Sequence, residues 1–263
     1  MTAHAFPVSE SEASLRAAAS FDYRYSHVAP GRGERYDDLY RPGTGLAFYW
    51  THFERPYLEA QLRRLAEVYP GGRYLDFACG TGRILEVGAR AFADVTGIDV
   101  SGAMLAEARA KVPNAAIVQA DVLTEPIDVG RFDVITLFRF LLRAGELREG
   151  VLAWLRRAIA DDGTLIVNNH RNALSHRGIT YRIQARLAPN GFEDELLTDR
   201  QMEQLLSRAG FEIVESFGFG GFPSWRNRLL LDPKLLLELE TRWTRSRLAR
   251  LAKNRIYVCR PIA

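Results

Sequence analysis

One short stretch of the sequence carries residue types suited to binding a nucleoside, Asp76-Phe77-Ala78-Cys79-Gly80-Thr81-Gly82. It follows an apolar run with the length of a buried strand and precedes a helical pattern of apolar residues. Glycines at such a turn let a ligand approach the backbone closely, and a helix N-terminus favours negative charge. Asp99 stands 99 − 80 = 19 residues after Gly80, at the end of the next apolar run. An acidic residue there is placed to accept hydrogen bonds from ribose hydroxyls.

The residues around this loop exclude two other kinds of nucleotide site. A dinucleotide fingerprint needs a third glycine three places after the second, and Leu85 stands there. A Walker phosphate loop needs Gly-Lys followed by Ser or Thr, and the sequence contains no such tripeptide. The loop therefore predicts a nucleoside ligand without a pyrophosphate.

Strand and helix periods alternate from about residue 54, which predicts an α/β fold with parallel strands and helices on both faces of the sheet. Predicted strands cover 73–78, 94–100, 115–120, 132–138, 164–168, 211–217 and 255–259. Predicted helices cover 54–68, 84–93, 101–111, 151–160, 199–209 and 233–252. Residues 161–163 are predicted to form a turn, and 179–187 shows an alternating pattern within an otherwise polar, irregular segment.

Five motifs, in order along the chain, resemble those of class I S-adenosylmethionine-dependent methyltransferases. They are residues 75–82, 97–105, 119–122, 132–135 and 163–167, and 197–211 resembles the usual approach to the sixth strand. The resemblance implies a Rossmann-like, seven-stranded, mostly parallel sheet with helices on both faces. It also implies an N-terminal extension or lid at 1–53. Residues 54–263 would form the methyltransferase domain, with lid insertions at about 169–197 and 218–254.

The resemblance implies S-adenosylmethionine as the cofactor and assigns roles to individual residues. Asp76, Ala78, Gly80 and Gly82 would surround its methionine moiety. The family often carries glycine where Ala78 stands, and we expect this difference to tighten the loop slightly without loss of binding. Asp99 would bind the ribose, and the adenosine would contact Val100, Met104, Asp121 and Val122. Phe138 and Arg139 would form the floor of the methyl-transfer site. Tyr40 or Tyr49 would cap the cofactor.

Several of these residues also have a purely structural interpretation. Asp99 is placed to cap a helix, and Asp121 to stabilise a turn. Tyr40 and Tyr49 belong to an aromatic extension, and such side chains also serve to pack the extension on the domain.

The residues after the fourth and fifth strands narrow the class of acceptor. The segment 137–140 lacks the Asn or Asp, followed by Pro-Pro and an aromatic, that marks amino-methyltransferases of nucleic acids and glutamine. Neither Cys79 nor Cys259 lies in a mid-chain loop suited to a cysteine nucleophile. Arg139 and Asn168-Asn169 are poor ligands for a hard cation, so no metal is expected.

Two residues are candidates for acting on the acceptor. His170 follows the fifth strand, where a base with a near-neutral pKa would reach an acceptor proton. Arg139 would bind an acceptor carboxylate or phosphate through its two parallel donors. The alternatives are a hydrogen-bonded loop histidine for His170 and a surface or domain-internal ion pair for Arg139.

Composition limits the partners and the compartment. The chain has 263 residues and a net charge of +3, which is too small to indicate a nucleic-acid or membrane partner. Of its 35 basic residues only Lys111, Lys234 and Lys253 are lysines, so 35 − 3 = 32 are arginines. The sequence shows neither a signal peptide nor a membrane span, and two cysteines suit a reducing compartment, so we expect a cytoplasmic location.

The expected function is transfer of a methyl group from S-adenosylmethionine to an oxygen or nitrogen of a small metabolite, by direct displacement and without a metal. One alternative is methylation of RNA or protein through the segment 241–260, which contains six arginines, one lysine and no acid. A further alternative is a protein that binds S-adenosylmethionine without catalysis.

Overall fold

The structure is a computed structural model that describes residues 37–262 except 143, 188–194, 223 and 226. The predicted extension at 1–53 is therefore described only from residue 37, and its earlier aromatic residues lie outside the described part. Among the described helices, none is long and apolar enough to cross a lipid bilayer.

Seven strands form one sheet in the order β3-β2-β1-β4-β5-β9-β6. Their bounds are β1 Arg73–Phe77, β2 Asp94–Asp99, β3 Ala116–Gln119, β4 Phe132–Leu137, β5 Ile159–Asn169, β6 Phe211–Phe219 and β9 Asn254–Pro261, and a short hairpin pairs β7 Ser224–Trp225 with β8 Arg228–Leu229. The strands β1 to β5 pair in parallel, while β9 runs antiparallel to β5 and β6. The predicted seven-stranded, mostly parallel α/β fold is thus confirmed.

Helices cover both faces of the sheet. They are α1 Gly45–Tyr49, α2 Arg55–Val68, α3 Arg83–Gly88, α4 Gly102–Lys111, α5 Leu147–Ala158, α6 His176–Leu187, α7 Asp199–Arg208 and α8 Pro233–Thr244, with a π-helical turn at Trp50–Glu54 and 3-10 turns at Asp38–Tyr40 and Arg247–Leu251. One apolar core lies under α5 and α7 and includes Leu152 and Leu206. The other lies under α2 and α3 and includes Leu62 and Leu85. Because each core is closed by its own helices, both faces of the strands are apolar.

Two helices begin at capping residues, whose side chains accept hydrogen bonds from backbone amides. The Ser101 hydroxyl accepts a hydrogen bond from the Met104 amide at 3.4 Å, as predicted for the start of α4. Thr198 and Gln201 form a reciprocal capping box at the start of α7.

Several local predictions differ from the structure. The helix predicted at 84–93 ends at Gly88, and the helix predicted at 151–160 begins at Leu147. Residues 179–187 lie in α6, because Ile179, Ile183 and Leu187 recur at every fourth place and fit a helical face as well as an alternating pattern. Residues 161–163 belong to β5 as an irregular bulge, since Phe132 pairs with Ile159 while Val134 pairs with Thr164. The helix predicted at 233–252 is divided in two, because α8 ends at Thr244 and a 3-10 turn follows from Arg247.

Candidate functional site

A cleft opens at the carboxyl ends of β1, β2 and β4, where the strand order reverses. Open α/β sheets bind their ligands at such a switch point. The cleft encloses about 950 Å³ of space between its atoms, including its open mouth. The predicted site residues that line it are Asp76, Ala78, Gly80, Asp99, Val100, Met104, Asp121, Val122, Phe138 and Arg139.

The loop between β1 and α3 turns through three residues in the left-handed region, Ala78 (φ 55°), Gly80 (φ 54°) and Gly82 (φ 79°). Gly82 does not line the cleft, because it lies against α4, where a Cβ atom would come within 2.9 Å of the Cα atom of Ala108. Gly82 therefore holds the loop close to α4. Ala78 adopts the same left-handed conformation with a side chain, which costs about 1–2 kcal/mol of backbone strain.

Asp99 joins the glycine loop to the second βα connection. Its Oδ2 atom accepts a hydrogen bond from the Gly80 amide at 2.9 Å, and its Oδ1 atom accepts one from the Ser101 amide at 2.9 Å. Burial raises the pKa of Asp99, while these amide hydrogen bonds act to lower it. Each carboxylate oxygen accepts more than one hydrogen bond, so the oriented side chain retains acceptor capacity for ribose hydroxyls. The structural and the ligand-binding interpretations of Asp99 are therefore compatible.

Asp76 is a buried carboxylic acid at the end of β1. Its Oδ1 atom accepts a hydrogen bond from the Thr136 hydroxyl at 2.9 Å. Burial raises its pKa to about 7, against the lowering effects of the Thr136 hydrogen bond and the charge of Arg83. Its Oδ2 atom is buried and has no hydrogen-bond partner in the described part of the chain. An ammonium group, such as that of the methionine moiety, would supply this partner, so the residues present fit the implied cofactor.

The opposite side of the cleft carries the residues predicted to contact the adenosine. The Asp121 Oδ1 atom accepts a hydrogen bond from the Leu123 amide at 3.1 Å, which is the turn role that was the alternative for this residue. Val122 and Val100 line the same part of the cleft. An apolar wall next to a carboxylate suits a base with an exocyclic amine.

Arg139 follows β4 in a left-handed conformation with φ 59°. The backbone amide of Arg139 donates to Asn168 Oδ1 at 2.7 Å, and its guanidinium donates to Glu54 Oε2 at 3.3 Å. The internal ion pair, which was the alternative for this residue, is therefore observed. A strained non-glycine residue held in place by its surroundings is typical of functional sites. Since Arg139 also lines the cleft, its binding of an acceptor anion stays a prediction.

Sequence patterns do not indicate Glu54, which is the acidic centre of this end of the cleft. Glu54 ends the π-helical turn at Trp50–Glu54. Such turns are rare in proteins, and those that occur are frequently found at functional sites. Its side chain is 2% exposed and lies 3.7 Å from the guanidinium of Arg83, which lines the cleft. One buried carboxylate thus holds two arginines, Arg83 and Arg139, at the mouth of the cleft.

The aromatic residues of the extension pack on this ion cluster. The guanidinium carbon of Arg83 lies 4.1 Å from the centre of the Tyr40 ring and 4.2 Å from that of Trp50. Tyr40 therefore covers residues that line the cleft and does not line it itself, so its role as a cap stays a prediction. Tyr49 lies in the core, where its hydroxyl donates to Glu240 at 2.8 Å, in accord with the packing alternative for this residue.

His170 directly follows the last residue of β5 and is half-buried. It does not line the cleft, and its role as a base stays a prediction.

The sequence patterns also do not indicate Lys253, which directly precedes β9. Because Arg255 pairs with Asn169 across the antiparallel strands, this lysine lies just beyond the carboxyl end of β5, where its carbonyl accepts a hydrogen bond from the Asn172 amide. Its pKa is lowered to about 8 by burial and by the charges of nearby arginines. The rarity of lysine in the chain is the one sequence signal that singles it out.

The six arginines of the segment 241–260 differ in exposure, since one is buried and five are exposed. Arg255 is buried, and its guanidinium lies 3.1 Å from a carboxylate oxygen of Asp199 and 3.0 Å from the Ser216 hydroxyl. That arginine therefore stabilises the fold. The exposed arginines of the segment are Arg242, Arg245, Arg247, Arg250 and Arg260.

Comparison with known proteins agrees with the geometry of the cleft. Residues 75–163 match the family model described as a methyltransferase domain. The chain is 27% identical to the ubiquinone/menaquinone biosynthesis C-methyltransferase of Campylobacter jejuni over 174 residues, which cover 55% of this chain and 73% of that protein. It is 35% identical to the trans-aconitate 2-methyltransferase of Paracidovorax citrulli over 119 residues, or 44% of this chain and 45% of that protein.

Solved structures share the fold at low sequence identity. The magnesium protoporphyrin IX methyltransferase of Synechocystis, solved with bound S-adenosylhomocysteine, superposes with a TM-score of 0.60 at 18% identity, over 88% of this chain and 94% of that chain. A possible histamine N-methyltransferase of Thermotoga maritima superposes with a TM-score of 0.55 at 16% identity, over 86% of this chain and 96% of that chain.

Proposed function

We propose that this chain, a class I S-adenosylmethionine-dependent methyltransferase, transfers the methyl group to an oxygen or nitrogen atom of a small-molecule acceptor. The observation that supports a small acceptor is the dense packing at the mouth of the cleft. There Glu54, Arg83 and Arg139 form one ion cluster under the ring of Tyr40. A concave, charged site of this kind suits a small polar metabolite better than a folded macromolecule.

The named relatives support the same class of acceptor. Trans-aconitate, for which one relative is named, is a small carboxylic acid. Another relative is named as a C-methyltransferase of quinone biosynthesis, so carbon is the competing acceptor atom.

The cofactor supplies a methyl group already activated by a positively charged sulfur. In the proposed reaction a lone pair of the acceptor forms a bond to the methyl carbon while the bond between that carbon and sulfur breaks. The bonding electrons remain on sulfur, which becomes a neutral thioether, and the acceptor loses its proton, if it carries one, to a base. Holding the two reacting groups in line therefore provides most of the acceleration.

We assign the individual roles as follows. Asp76 binds the cofactor ammonium, and Asp99 binds the ribose hydroxyls. Arg139 positions the acceptor at the mouth of the cleft, since its backbone is anchored by Asn168. His170, which directly follows β5, is the proposed base that accepts the acceptor proton.

A calorimetric titration with S-adenosylmethionine tests the cofactor half of the proposal. We expect Asp99→Ala to weaken binding at least about tenfold, because it removes a carboxylate that binds two hydroxyls and orders the loop. Asp94→Ala is the matched control, since Asp94 begins the same strand and forms only a half-exposed ion pair with Arg73. Equal affinities for wild type and Asp99→Ala would contradict this role.

Formation of S-adenosylhomocysteine tests the acceptor half. Incubation of the protein with the small-metabolite fraction and, separately, with the RNA and protein fractions of a cell extract should give turnover only with the first. If His170 is the base, His170→Ala lowers kcat about a hundredfold at neutral pH and leaves the affinity for S-adenosylmethionine unchanged. Turnover only with macromolecules, falling steeply as salt is added, would instead support action through the exposed arginines.

A further inference from the structure

A second cluster of cationic side chains lies next to the mouth of the cleft, around Lys253. The backbone fixes this residue on both sides, since its amide donates to the Gly220 carbonyl at 3.2 Å and its carbonyl accepts from the Asn172 amide at 2.9 Å. Its ammonium lies 5.7 Å from the centre of the Tyr49 ring. Lys253 thus occupies a defined place between the segment after β5 and the loop after β6.

The residues around Lys253 are mainly cations. Its pKa is lowered to about 8, first by burial and then by the charges of Arg139, Arg177 and Arg171, while Glu54 acts in the opposite direction. The pKa of His176 is lowered as well, by burial and by the charges of Lys253 and Arg177. The backbone places these residues in the same region. The Asn172 amide donates to the Lys253 carbonyl only four residues before α6 begins at His176. The Arg139 amide donates to Asn168 near the end of β5, the strand that pairs with β9.

The carboxylates nearby are already engaged. Glu54 binds Arg139 and lies next to Arg83. Glu240 accepts hydrogen bonds from the Tyr49 hydroxyl and from the amides of Gly220, Gly221 and Phe222. Within the described part of the chain, no carboxylate oxygen comes within ion-pair distance of the Lys253 ammonium. Its positive charge is therefore not balanced there by a direct protein partner.

His176 adds a polar group that points to a ligand. Its Nε2 atom is buried and has no hydrogen-bond partner among the described residues. Buried polar groups are rarely left without a partner, and those that are often mark a ligand or an ordered water. A neutral imidazole that carries its proton on Nε2 would donate to an anion.

From this placement we infer that Lys253, Arg177 and His176, together with Arg139 at the mouth of the cleft, form a subsite for a carboxylate or phosphate group of the acceptor. The subsite rests on the proposed function, because it assigns the acceptor to anionic metabolites whose reacting atom lies near the cofactor. Arg139 connects the two places, since it lines the cleft and its charge also acts on Lys253. An anion here would balance the surplus of positive charge and would raise the pKa of the lysine.

The three lysines of the chain make this subsite directly measurable. Limited acetylation at pH 8, followed by mass spectrometry of the peptides, gives separate rates for Lys111, Lys234 and Lys253 in one sample. The probes are tricarballylate, which carries three carboxylates, and inorganic phosphate, with glycerol as the uncharged control. With S-adenosylhomocysteine present, we expect one of the two anions to slow acetylation of Lys253 at least about fivefold and to leave Lys234 unchanged. Glycerol should have no effect.

Two variants separate charge from packing. Lys253→Met should weaken calorimetric binding of the effective anion at least about tenfold, while Lys253→Arg keeps the charge and stays within about threefold of wild type. Lys234→Met, at an exposed position, should bind the anion like wild type.

The outcomes distinguish this inference from the proposed function. Wild type that does not bind S-adenosylhomocysteine would contradict the proposed function. Wild type that binds S-adenosylhomocysteine, yet shows no protection of Lys253 by either anion, would overturn the subsite alone. Protection by tricarballylate only, or by phosphate only, supports the subsite and assigns the group that it recognises.

Discussion

The parts of the site that we propose for the cofactor and for the acceptor, the cofactor side and the acceptor side, differ in how the chain builds them. The cofactor side comes from consecutive strand-to-helix connections, so that Asp76, Asp99 and Asp121 lie at or just after the carboxyl ends of β1, β2 and β3 in order. The acceptor side joins Glu54 and Lys253, which are 253 − 54 = 199 residues apart in the sequence. One side is thus encoded locally, and the other exists only once the chain has folded.

The two sides also differ in the forces that define them. On the cofactor side the backbone determines the geometry, through left-handed residues and amides that orient a carboxylate. On the acceptor side, long charged side chains neutralise one another around a buried carboxylate. Substitutions should therefore act through shape on the first side and through charge on the second.

The largest effect is expected for Gly82→Ala on the cofactor side. The new Cβ atom would lie 2.9 Å from the Cα atom of Ala108, and the new alanine would have to adopt a φ of 79°. We expect a loss of about 2–5 kcal/mol in the free energy of unfolding, from strain and overpacking combined. Affinity for S-adenosylmethionine should fall with it, as measured by urea unfolding and calorimetry.

Gly71→Ala is the matched control for this change. Gly71 has a similar φ of 73°, but a Cβ atom there would meet no atom within 4 Å. We expect a loss of about 1–2 kcal/mol from strain alone and unchanged cofactor affinity. Equal losses at the two glycines would show that contact with α4 does not support the loop.

On the acceptor side, Glu54→Gln should have the next largest effect. It removes the charge that compensates Arg83 and Arg139, whose side chains are 12% and 18% exposed. Since some solvent reaches both arginines, we expect a loss of about 2–3 kcal/mol in unfolding free energy, below the range for a fully buried pair. The variant should retain affinity for S-adenosylmethionine within about threefold, because Glu54 does not line the cleft.

Two further variants define the charge balance around Glu54. Glu59→Gln, which breaks only surface ion pairs with Arg55 and Arg90, should cost less than about 1 kcal/mol. Lys253→Met combined with Glu54→Gln should lose less stability than the sum of the single changes, because both alter one charge cluster. Additive losses would show that the two residues belong to separate clusters.

The pH dependence of cofactor binding tests the buried Asp76. Its pKa of about 7 means that the carboxyl is largely protonated below pH 7, so it then attracts an ammonium less strongly. We expect affinity for S-adenosylmethionine to fall by up to about tenfold for each pH unit below 7. The profile should flatten in Asp76→Asn, which is uncharged throughout. A flat wild-type profile between pH 5.5 and 7.5 would contradict the role of Asp76.

The Asp76 carboxyl also makes the stability of the ligand-free protein depend on pH. This dependence is opposite to that of cofactor affinity, because stability falls as the pH rises. Its folded pKa of about 7 lies above its ordinary value of 3.8, so the folded protein binds this proton more tightly than the unfolded chain. The contribution of Asp76 to stability is therefore lost as the pH rises from about 4 to 7. Thermal unfolding of Asp76→Asn should show a gain over wild type that grows across this window.

The smallest effect is expected for Ala78→Gly. Glycine at φ 55° removes the strain of the alanine side chain but gives the unfolded chain more freedom. These terms nearly cancel, so we expect a gain of less than about 1 kcal/mol in urea unfolding and unchanged cofactor affinity. Ala89→Gly, at a right-handed residue with φ −64°, has no strain to release and should destabilise the protein slightly. A marked loss at Ala78 would show that the loop does not carry this strain.

The fold and most of the cleft could be predicted from the sequence because their signals are local. The period of apolar residues indicated the strands, and the spacing from Gly80 to Asp99 placed a carboxylate beside the loop. Phe138 lies in the cleft because it follows β4 directly, and Met104 because it lies in the first turn of the helix after β2.

The acceptor side could not be predicted in the same way. Glu54 reaches the cleft through a π-helical turn that interrupts a continuous helical pattern, and an amphipathic period does not reveal such a turn. Lys253 reaches it because β9 inserts between β5 and β6, a pairing determined by tertiary contacts. In α6, the same apolar residues fitted both an alternating and a helical period, so the pattern alone did not distinguish a strand from a helix.

Calorimetric titration of S-adenosylhomocysteine into three proteins tests most directly whether the two sides are separate. Wild type should bind, and Asp76→Asn should bind at least about tenfold more weakly at pH 8, because it loses the charge that faces the ammonium. Lys253→Met should bind like wild type, since we propose that the charge of Lys253 serves the acceptor. Absence of binding to wild type, or an equal loss in both variants, would contradict the division into a cofactor side and an acceptor side.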